Sequence, residues 1–566
     1  MRLVKVRLLQ QQMIPCILYH KRLLQKQMAL LNKILGIKIL IVLVRKAFGN
    51  QLNFFAKSFS QKLRFVNMKK VYFLYSLFVL IVIIISCKQN SNKESGEILT
   101  KTYCGACHLA PTPSLLTKAS WEKVLPVMSN FMGLKYSGDS VVELTGAQKY
   151  EDTATLPSRV FISPSDFQKI AKYLLENAPD SFMVEKHKSF DTTTTFKVFS
   201  PQTEGLPFTT AIAYDSIGKS ICIGSATTRS LEVYNLQMQK QRSISVENMV
   251  TACSIGQNDY QITNIGAFKP EPNSVSGNVM LLDRNPKSKP IKILDSLNRA
   301  VDSHIVDLDN DGKRDILVDE FGFLKGTYSW YKNMGNGQYT KNILRYTPGA
   351  LRSYVEEENG DGLMDIWTLF GQAREGISLF VNKGNGRFEE KTILQFPSVY
   401  GSTYFELVDM NGDGKKDIVY TCGDNNDYSS ILKPYHGIYI YLNEGNYNYK
   451  LAKFIHLDGC YKAVVKDFNK DGILDIASIA YFADYVNHPE ESFTYFEGKG
   501  KLEYRPSIIK SLPLGRWVCM DVNDLDGDGD LDILLGNLAA DYLGRKDWQQ
   551  MWMSAPAFVK IINTTK

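Results

Sequence analysis

Short apolar runs separated by polar turns dominate the chain from residue 190 to its end. Five of these runs follow a polar loop directly, at 316–318, 366–368, 418–420, 476–478 and 533–535. Runs of this length between turn-forming residues predict β-strands. Residues 97–186 differ, because their apolar positions recur at helical spacing, and helices are predicted at 98–107, at 121–132 and after Ser163. The pattern therefore predicts a small helical domain followed by a long all-β domain.

One polar loop of nine residues recurs five times in the all-β part. The copies begin at Asp307, Glu357, Asp409, Asp467 and Asp524, at intervals of 50, 52, 58 and 57 residues. Each copy has oxygen-bearing side chains at positions 1, 3, 5 and 9 when Asn is included, and Gly at position 6 permits the turn. Because Ca²⁺ takes six to eight oxygen ligands, this spacing predicts about four to five calcium sites.

The predicted calcium ligands are the side chains at these positions, together with the backbone carbonyl of position 7, as at Lys313. They are Asp307, Asp309, Asp311, Lys313, Asp315, Glu357, Asn359, Asp361, Asp365, Asp409, Asn411, Asp413, Asp417, Asp467, Asn469, Asp471, Asp475, Asp524, Asp526, Asp528 and Asp532. The loops are not EF-hands, because a strand follows each one and the Glu of position 12 is missing. An acidic turn without metal is the alternative, and the Glu357 copy departs furthest from the pattern.

The repeat interval is that of a four-stranded propeller blade with its loops. Residues 190–566 number 377, which seven blades of about 54 residues fill better than six or eight. Segments 209–234 and 249–283 are predicted blades without calcium loops, and a strand at 558–562 is expected to close the ring. Closure explains how a long all-β chain hides its strand edges.

Residues 104–108 read Cys-Gly-Ala-Cys-His, a spacing with a specific chemistry. In such a motif two thiols add to the vinyl groups of one haem, and the adjacent His ligates the iron. Cys104 and Cys107 are therefore the predicted attachment sites, and His108 the axial ligand, of one covalent haem c. A redox dithiol and half a zinc site are the alternatives, but no preceding strand and no second ligand pair lie nearby.

The sixth iron ligand is predicted to be Met128, with Met132 and Met183 as alternatives. A thioether ligand raises the reduction potential of a haem. Apart from Cys16 and Cys87 in the N-terminal region, the cysteines outside the motif are few and widely spaced: Cys222, Cys253, Cys422, Cys460 and Cys519. They do not form the pattern of a disulfide framework.

The motifs together resemble those of a known family. The five loops, with Phe321-Gly322 and Phe370-Gly371 after two of the strands, resemble the FG-GAP (VCBS-type) repeats of integrin-α-like propellers. From Cys87 onward the arrangement resembles bacterial lipoproteins of the FG-GAP/VCBS repeat β-propeller family with an N-terminal c-type cytochrome domain. The resemblance implies a multi-domain fold, with a small all-α cytochrome c-like domain at 97–186 followed by an all-β propeller at 190–566.

The first 96 residues are expected to contain a targeting sequence and a linker. Met68-Lys69-Lys70 precedes an apolar run, 71–85, which ends in Ser86-Cys87. A secretory signal peptide over 68–86 is predicted, and its end resembles a lipobox in which Cys87 is acylated. A transmembrane helix is the alternative, although fifteen residues are short for a bilayer. Residues 87–96 are then a linker, and 1–67 are expected to be a non-native extension.

The charge of the chain is unevenly distributed. Residues 1–67 contain 13 Lys and Arg and no Asp or Glu, whereas from Cys87 onward 51 basic residues face 59 acidic ones. A nucleic-acid surface is therefore not expected on the folded part. With 44% hydrophobic and 22% charged residues, the chain is not disordered as a whole. We expect the mature protein in the bacterial cell envelope, lipid-anchored to a membrane, at the periplasmic or outer surface.

Three functions fit these features. The preferred one is electron transfer, with the propeller docking a redox partner protein or a surface polymer. The alternatives are a periplasmic dehydrogenase with a propeller-bound organic cofactor, and an adhesive or sensory propeller. No motif for nucleophilic or metal hydrolysis is present, so no catalytic residue is predicted and an enzyme is not favoured. A polar and aromatic loop at 422–437, with Arg352, Gln372 and Glu375 expected near it, is either a ligand site or a solvated loop.

Overall fold

A computed structural model describes residues 95–138, 140–143, 159–183, 189–201, 205–266, 275–285, 287–323, 325–372, 374–426, 430–540 and 545–565. The chain divides into two units, Met1–Lys93 and Glu94–Lys566. The predicted extension, signal peptide and lipidated Cys87 all belong to the first unit and lie outside the described residues. None of the described helices has the length and apolar character needed to cross a bilayer.

The second unit begins with three helices, as the sequence predicts. They are α1 Gly96–Tyr103, α2 Lys118–Phe131 and α3 Pro164–Asn177. A Ser or Thr side chain caps the N-terminus of each helix by accepting a backbone N–H, namely Ser95, Thr117 and Ser163. A short hairpin, β1 Leu134–Tyr136 and β2 Val141–Glu143, follows α2.

The three helices enclose a small apolar core. Its fully buried members include Leu99, Trp121, Phe167 and Ile170. Helix α1 crosses α3 at Gly96, where a Cβ atom would lie 2.4 Å from the Lys169 carbonyl oxygen. Only glycine permits the two helices to approach so closely. This contact holds the segment that follows α1 against the rest of the domain.

Seven four-stranded units form the remainder of the unit, and we number them blades 1 to 7 in chain order. Blades 1 to 3 contain β5 Thr209–Asp215, β6 Ser220–Ser225, β7 Ser230–Asn235 and β8 Lys240–Ser245; β9 Val250–Ile255, β10 Asp259–Asn264, β11 Gly277–Asp283 and β12 Ile291–Leu297; and β13 Ala300–Val306, β14 Asp315–Glu320, β15 Tyr328–Gly335 and β16 Gln338–Arg345. Blades 4 and 5 contain β17 Ala350–Glu356, β18 Asp365–Phe370, β19 Gly376–Asn382 and β20 Phe388–Gln395, and β21 Ser402–Val408, β22 Asp417–Cys422, β23 Gly437–Asn443 and β24 Tyr449–His456.

The last two blades recruit strands from the segment that precedes blade 1. Blade 6 contains β25 Cys460–Lys466, β26 Asp475–Ala480, β27 Phe493–Gly498 and β28 Tyr504–Ile508, with β3 Asp191–Thr192 added at its edge. Blade 7 contains β29 Trp517–Asn523, β30 Asp532–Asn537, β31 Phe558–Asn563 and, as its outermost strand, β4 Phe196–Phe199. Helix α4, Lys546–Ser554, lies between β30 and β31.

Ring closure differs in one respect from the sequence prediction. The predicted strand at 558–562 exists, but it is the third strand of blade 7. The ring is completed by β4, which pairs antiparallel with β31 so that Val198 lies opposite Ile561. Two ends of the chain far apart in sequence thus share one sheet, which removes an exposed edge.

The ring has two distinct ends. The first strands of successive blades contact one another around the ring, so they are innermost. Because neighbouring strands within a blade are antiparallel, the turns between first and second strands share one end with the turns between third and fourth strands. We call this end the repeat-loop face, since all five predicted calcium loops lie there. The turns between second and third strands, and those between blades, form the opposite end, which we call the docking face.

Candidate functional site

The Cys-x-x-Cys-His segment continues directly from α1 as a tight helical turn. Residues Cys104–Ala106 form a 3₁₀ turn, and the Cys104 carbonyl accepts both the Cys107 N–H and the His108 N–H, each at 3.2 Å. Cys104 and Cys107 are three residues apart in this turn, their thiols are close enough to interact electrostatically, and His108 follows directly. Neither cysteine is in a disulfide.

The side chains of this segment fit a covalently bound haem. The Nδ1 atom of His108 lies 2.9 Å from the Leu109 carbonyl oxygen, to which it donates when it carries the proton. This tautomer leaves Nε2 as the ligand atom. Burial raises the pKa of Cys104 to about 11, with a smaller contribution from Cys107. A redox-active dithiol has a lowered thiol pKa, so this shift does not match a site of thiol exchange.

The three methionines predicted as sixth ligands have different environments. Met128 lies on α2 and Met132 follows its last residue, and both are partly buried against the core of the helical domain. Met183 is 93% exposed and contacts none of that core. Met128 remains the predicted ligand, and Met132 shares its surroundings.

An arginine of the propeller contacts the haem-binding segment directly. Arg374 lies in the turn between β18 and β19, on the docking face of blade 4. Its Nε donates to the Cys107 carbonyl at 3.2 Å, and its Nη2 donates to the Ala106 carbonyl at 3.1 Å. The guanidinium therefore satisfies carbonyls at the end of a helical turn, where a cation is electrostatically favoured. Sequence analysis did not single out Arg374, although it flagged its neighbours Gln372 and Glu375.

The aromatic loop between β22 and β23 forms the second half of this contact. Tyr435 donates its hydroxyl to the Leu115 carbonyl of the helical domain at 2.9 Å, and its ring packs edge-on against Phe182. Tyr400 stacks on Tyr435 with ring centroids 4.8 Å apart, and Val399 packs against the helical core. The described part of the 422–437 loop is thus a docking surface for the haem-binding domain.

Of the residues expected near this loop, Arg352 is placed elsewhere. It lies on β17, an innermost strand, and its Nη1 donates to Asp302 of blade 3 at 2.6 Å. The expectation was wrong because residues close to a blade end in sequence can point into the ring instead of out of it. Glu375 does lie at the docking face, where it is buried and accepts the Ser402 N–H and hydroxyl at 3.0 and 2.7 Å.

Position 1 of the repeat loops organises the loop backbone. In blade 5, Asp409 accepts the N–H groups of Gly412 at 2.8 Å, Asp413 at 3.1 Å and Gly414 at 2.8 Å. Comparable bonds reach Asp307, Asp467 and Asp524. The backbone N–H groups hold the first carboxylate in place, so that it faces the other acidic side chains of its loop.

Position 9 has a structural role that sequence analysis missed. All five of these carboxylates are fully buried: Asp315, Asp365, Asp417, Asp475 and Asp532. In blade 5, Asp417 accepts the Met410 N–H and the Asn443 N–H, each at 2.8 Å, and so ties the loop to the third strand. Each carboxylate oxygen has a second lone pair, so these hydrogen bonds do not prevent the carboxylate from also binding a cation.

The acidic side chains converge most clearly in blades 3 and 7. Carboxylate oxygens of Asp307, Asp309 and Asp311 lie within 4.8 Å of one another, and those of Asp524, Asp526 and Asp532 do the same. In blade 3 the Lys332 ammonium contacts Asp309 and lies 2.9 Å from Asp311. A cation entering that loop must displace this ammonium, whereas blade 7 carries Ile562 at the corresponding strand position.

Comparison with protein-family models matches two segments of the chain. Residues 100–153 match a dihaem cytochrome c, and residues 359–420 match an FG-GAP-like repeat. Among solved structures the chain is similar to the crystal structure of the N-terminal domain of Nup159, at 10% identity and a TM-score of 0.41, over 66% of this chain and 96% of that one. The two matched segments and the seven-bladed ring confirm the predicted architecture, a small helical cytochrome c domain followed by a seven-bladed β-propeller that contains an FG-GAP-like repeat.

Proposed function

We propose that this protein is an exported, membrane-anchored electron-transfer protein that carries one haem c and docks a redox partner or a surface polymer through a calcium-stabilised propeller. The contact between Arg374 and the Cys-x-x-Cys-His segment carries the proposal. It joins the redox segment to the propeller, so that a partner bound by the propeller is held at a fixed place relative to the haem. One motif in the sequence supports one haem.

The residues around the motif suit electron transfer better than chemistry on a substrate. A c-type haem stores one electron by cycling between Fe(III) and Fe(II). His108 is held in one tautomer by Leu109, and Tyr435 and Arg374 anchor the domain from two sides. Such rigid ligation keeps the reorganisation that accompanies each electron small, and no proton donor or nucleophile is required of the chain.

Replacing Arg374 with Gln is expected to lower the reduction potential of the haem by tens of millivolts, because a nearby positive charge favours the reduced iron. Redox titration of the intact protein measures the change. Arg387→Gln is the matched control, since it removes the same charge from the same blade at the repeat-loop face. Equal potentials in the two variants would show that Arg374 does not influence the haem.

Calcium is proposed to stabilise the blades, with the acidic clusters of the repeat loops as its ligands. The increase that calcium causes in the melting temperature should shrink below about pH 6. Burial raises the pKa of both Asp530 and Asp532 in blade 7 to about 6, so protons compete with the cation there.

Without calcium, the stability of the protein is expected to change with pH in the opposite direction. The folded-state pKa values of these two groups lie above the ordinary value of 3.8, so the folded chain binds more protons than the unfolded chain between about pH 4 and pH 6. The calcium-free protein should therefore lose stability as the pH rises through this window. Melting curves in calcium and in chelator at pH 5, 6 and 7.5 measure both trends. If calcium raised the melting temperature by the same amount at all three pH values, the proposal would be contradicted.

Export and anchoring are proposed from the apolar run at 71–85 and from Cys87. Haem attachment through thioethers, which takes place outside the cytoplasm, agrees with export. Cells grown with labelled palmitate should yield labelled wild-type protein and unlabelled Cys87→Ala. The control Cys253→Ala, which changes a cysteine within blade 2, should keep the label. Wild-type protein without label would argue against a lipid anchor.

A further inference from the structure

A second group of metal-binding side chains lies far from the repeat loops, at the inner edge of blade 3. Asp302 and His304 are two residues apart on β13 and so share one face of the sheet. Asp319 on β14 is the cross-strand partner of Asp302 and lies on that same face. One donor atom from each of the three lies within 4.8 Å of the other two, and His304 Nε2 is 3.9 Å from Asp302 Oδ2.

Two donor atoms of this cluster are buried without a hydrogen-bond partner. Asp319 is 0% exposed; its Oδ1 accepts the Ser353 hydroxyl at 2.6 Å, while its Oδ2 has no partner among the described residues. The Nε2 atom of His304 is buried and equally unpartnered within that part of the chain. Unpaired buried polar atoms are rare in proteins because each costs free energy, so two of them facing one space indicate a missing partner.

The surroundings of the cluster are those of a metal site. Arg352 donates to Asp302, and Ser353 donates to Asp319, so that each carboxylate is oriented by a neighbour while it keeps an oxygen lone pair free. With both carboxyls ionised, the two carboxylates and one guanidinium sum to one negative charge, which a divalent cation can offset. The His304 side chain is 25% exposed, so part of the imidazole reaches solvent although its Nε2 atom is buried.

We propose that Asp302, His304 and Asp319 bind a divalent transition metal ion. A donor set of one imidazole and two carboxylates fits Zn²⁺ and its neighbours, and it does not fit Ca²⁺, which takes oxygen ligands. Zinc bonds of about 2.0–2.1 Å place tetrahedral ligand atoms about 3.3 Å apart, so the side chains close in by roughly 1 Å on binding. Three protein ligands leave a fourth position for channel water or an anionic ligand.

Zinc binding by the intact, haem-loaded protein tests this site. Saturating Ca²⁺ fills the repeat loops first, and equilibrium dialysis against Zn²⁺ followed by elemental analysis gives the stoichiometry. His488, Glu490 and Glu491 form another group that could hold a metal ion. Wild-type protein should therefore hold one equivalent of zinc beyond any bound there, and Asp319→Asn and His304→Gln should bind that equivalent at least about tenfold more weakly. His456→Gln is the control, because it removes an imidazole beside a carboxylate, Asp458, outside the proposed site.

The haem spectrum and the melting temperature show whether each variant is folded. Zinc should also raise the melting temperature of the wild type and of His456→Gln, and leave that of the two cluster variants unchanged. Equal zinc stoichiometry and affinity in all four proteins would overturn the proposal. So would a wild-type melting temperature that does not respond to zinc.

Discussion

Replacing both Cys104 and Cys107 with Ala is expected to abolish covalent haem while the propeller remains folded. The two thiols are free and lie on one tight turn, and the seven blades have their own cores, which do not include these side chains. Haem staining after denaturing electrophoresis should fall from strong to none. The far-ultraviolet circular dichroism of the propeller should be preserved.

The single variants and a control sharpen this result. Cys104→Ala and Cys107→Ala each leave one thioether, so each should retain some haem. Cys422→Ala, a buried cysteine of blade 5, should retain all of it. Full haem retention in the double variant would show that the motif is not the attachment site.

Replacing Asp417 with Ala is expected to destabilise the propeller by about 2–6 kcal/mol, whether or not calcium is present. The change removes a fully buried carboxylate and leaves the N–H groups of Met410 and Asn443 without their acceptor. Each buried donor left unsatisfied costs about 1–3 kcal/mol. Denaturant unfolding in chelator measures the loss directly.

The Asp413→Ala variant separates two roles of the loop carboxylates: linking the loop to the third strand by hydrogen bonds, and binding calcium. Asp413 belongs to the same loop but is exposed; its carboxylate accepts the backbone N–H and the side-chain ammonium of Lys415 and also interacts with the Asn411 side chain. This variant should unfold like the wild type in chelator and should lose only part of the stabilisation by calcium. If Asp417→Ala instead behaves like Asp413→Ala, the position-9 carboxylate acts as a ligand and not as a link between loop and strand.

Most of the fold could be predicted from local sequence patterns. The repeat loops, the strands after them and the three helices follow from spacings within about twenty residues, and each was predicted from those spacings alone. Seven blades followed from the repeat interval, because a blade is one structural unit of nearly constant length. The haem motif was equally local, since its chemistry is contained in five consecutive residues.

Several features that could not be predicted from the sequence depend on partners far away along the chain. Val198 of β4 lies opposite Ile561. Because this partner is so distant in sequence, the residues around Val198 do not indicate that the strand closes the ring. Arg374 donates to a carbonyl 267 residues earlier. Asp417 was predicted as a calcium ligand, but its bond to the backbone 26 residues later became visible only with the third strand in place.

Arg352 shows a different limit. Its neighbours in sequence suggested a place near the docking loop, yet the strand that carries it is innermost, and the side chain reaches blade 3. An alternating strand pattern predicts which residues share a sheet face, but not which neighbouring blade that face meets. The cluster of Asp302, His304 and Asp319 was missed for another reason, because it depends on the register that places Asp319 of β14 opposite Asp302 of β13.

The central claim is that the N-terminal domain holds a covalent haem that transfers electrons. A reduced-minus-oxidised visible spectrum of the intact protein, recorded with and without carbon monoxide, tests it most directly. A low-spin c-type spectrum that carbon monoxide does not change is expected, because His108 and a methionine, Met128 by prediction, would then occupy both axial positions. A high-spin haem that binds carbon monoxide, or no covalent haem at all, would contradict it.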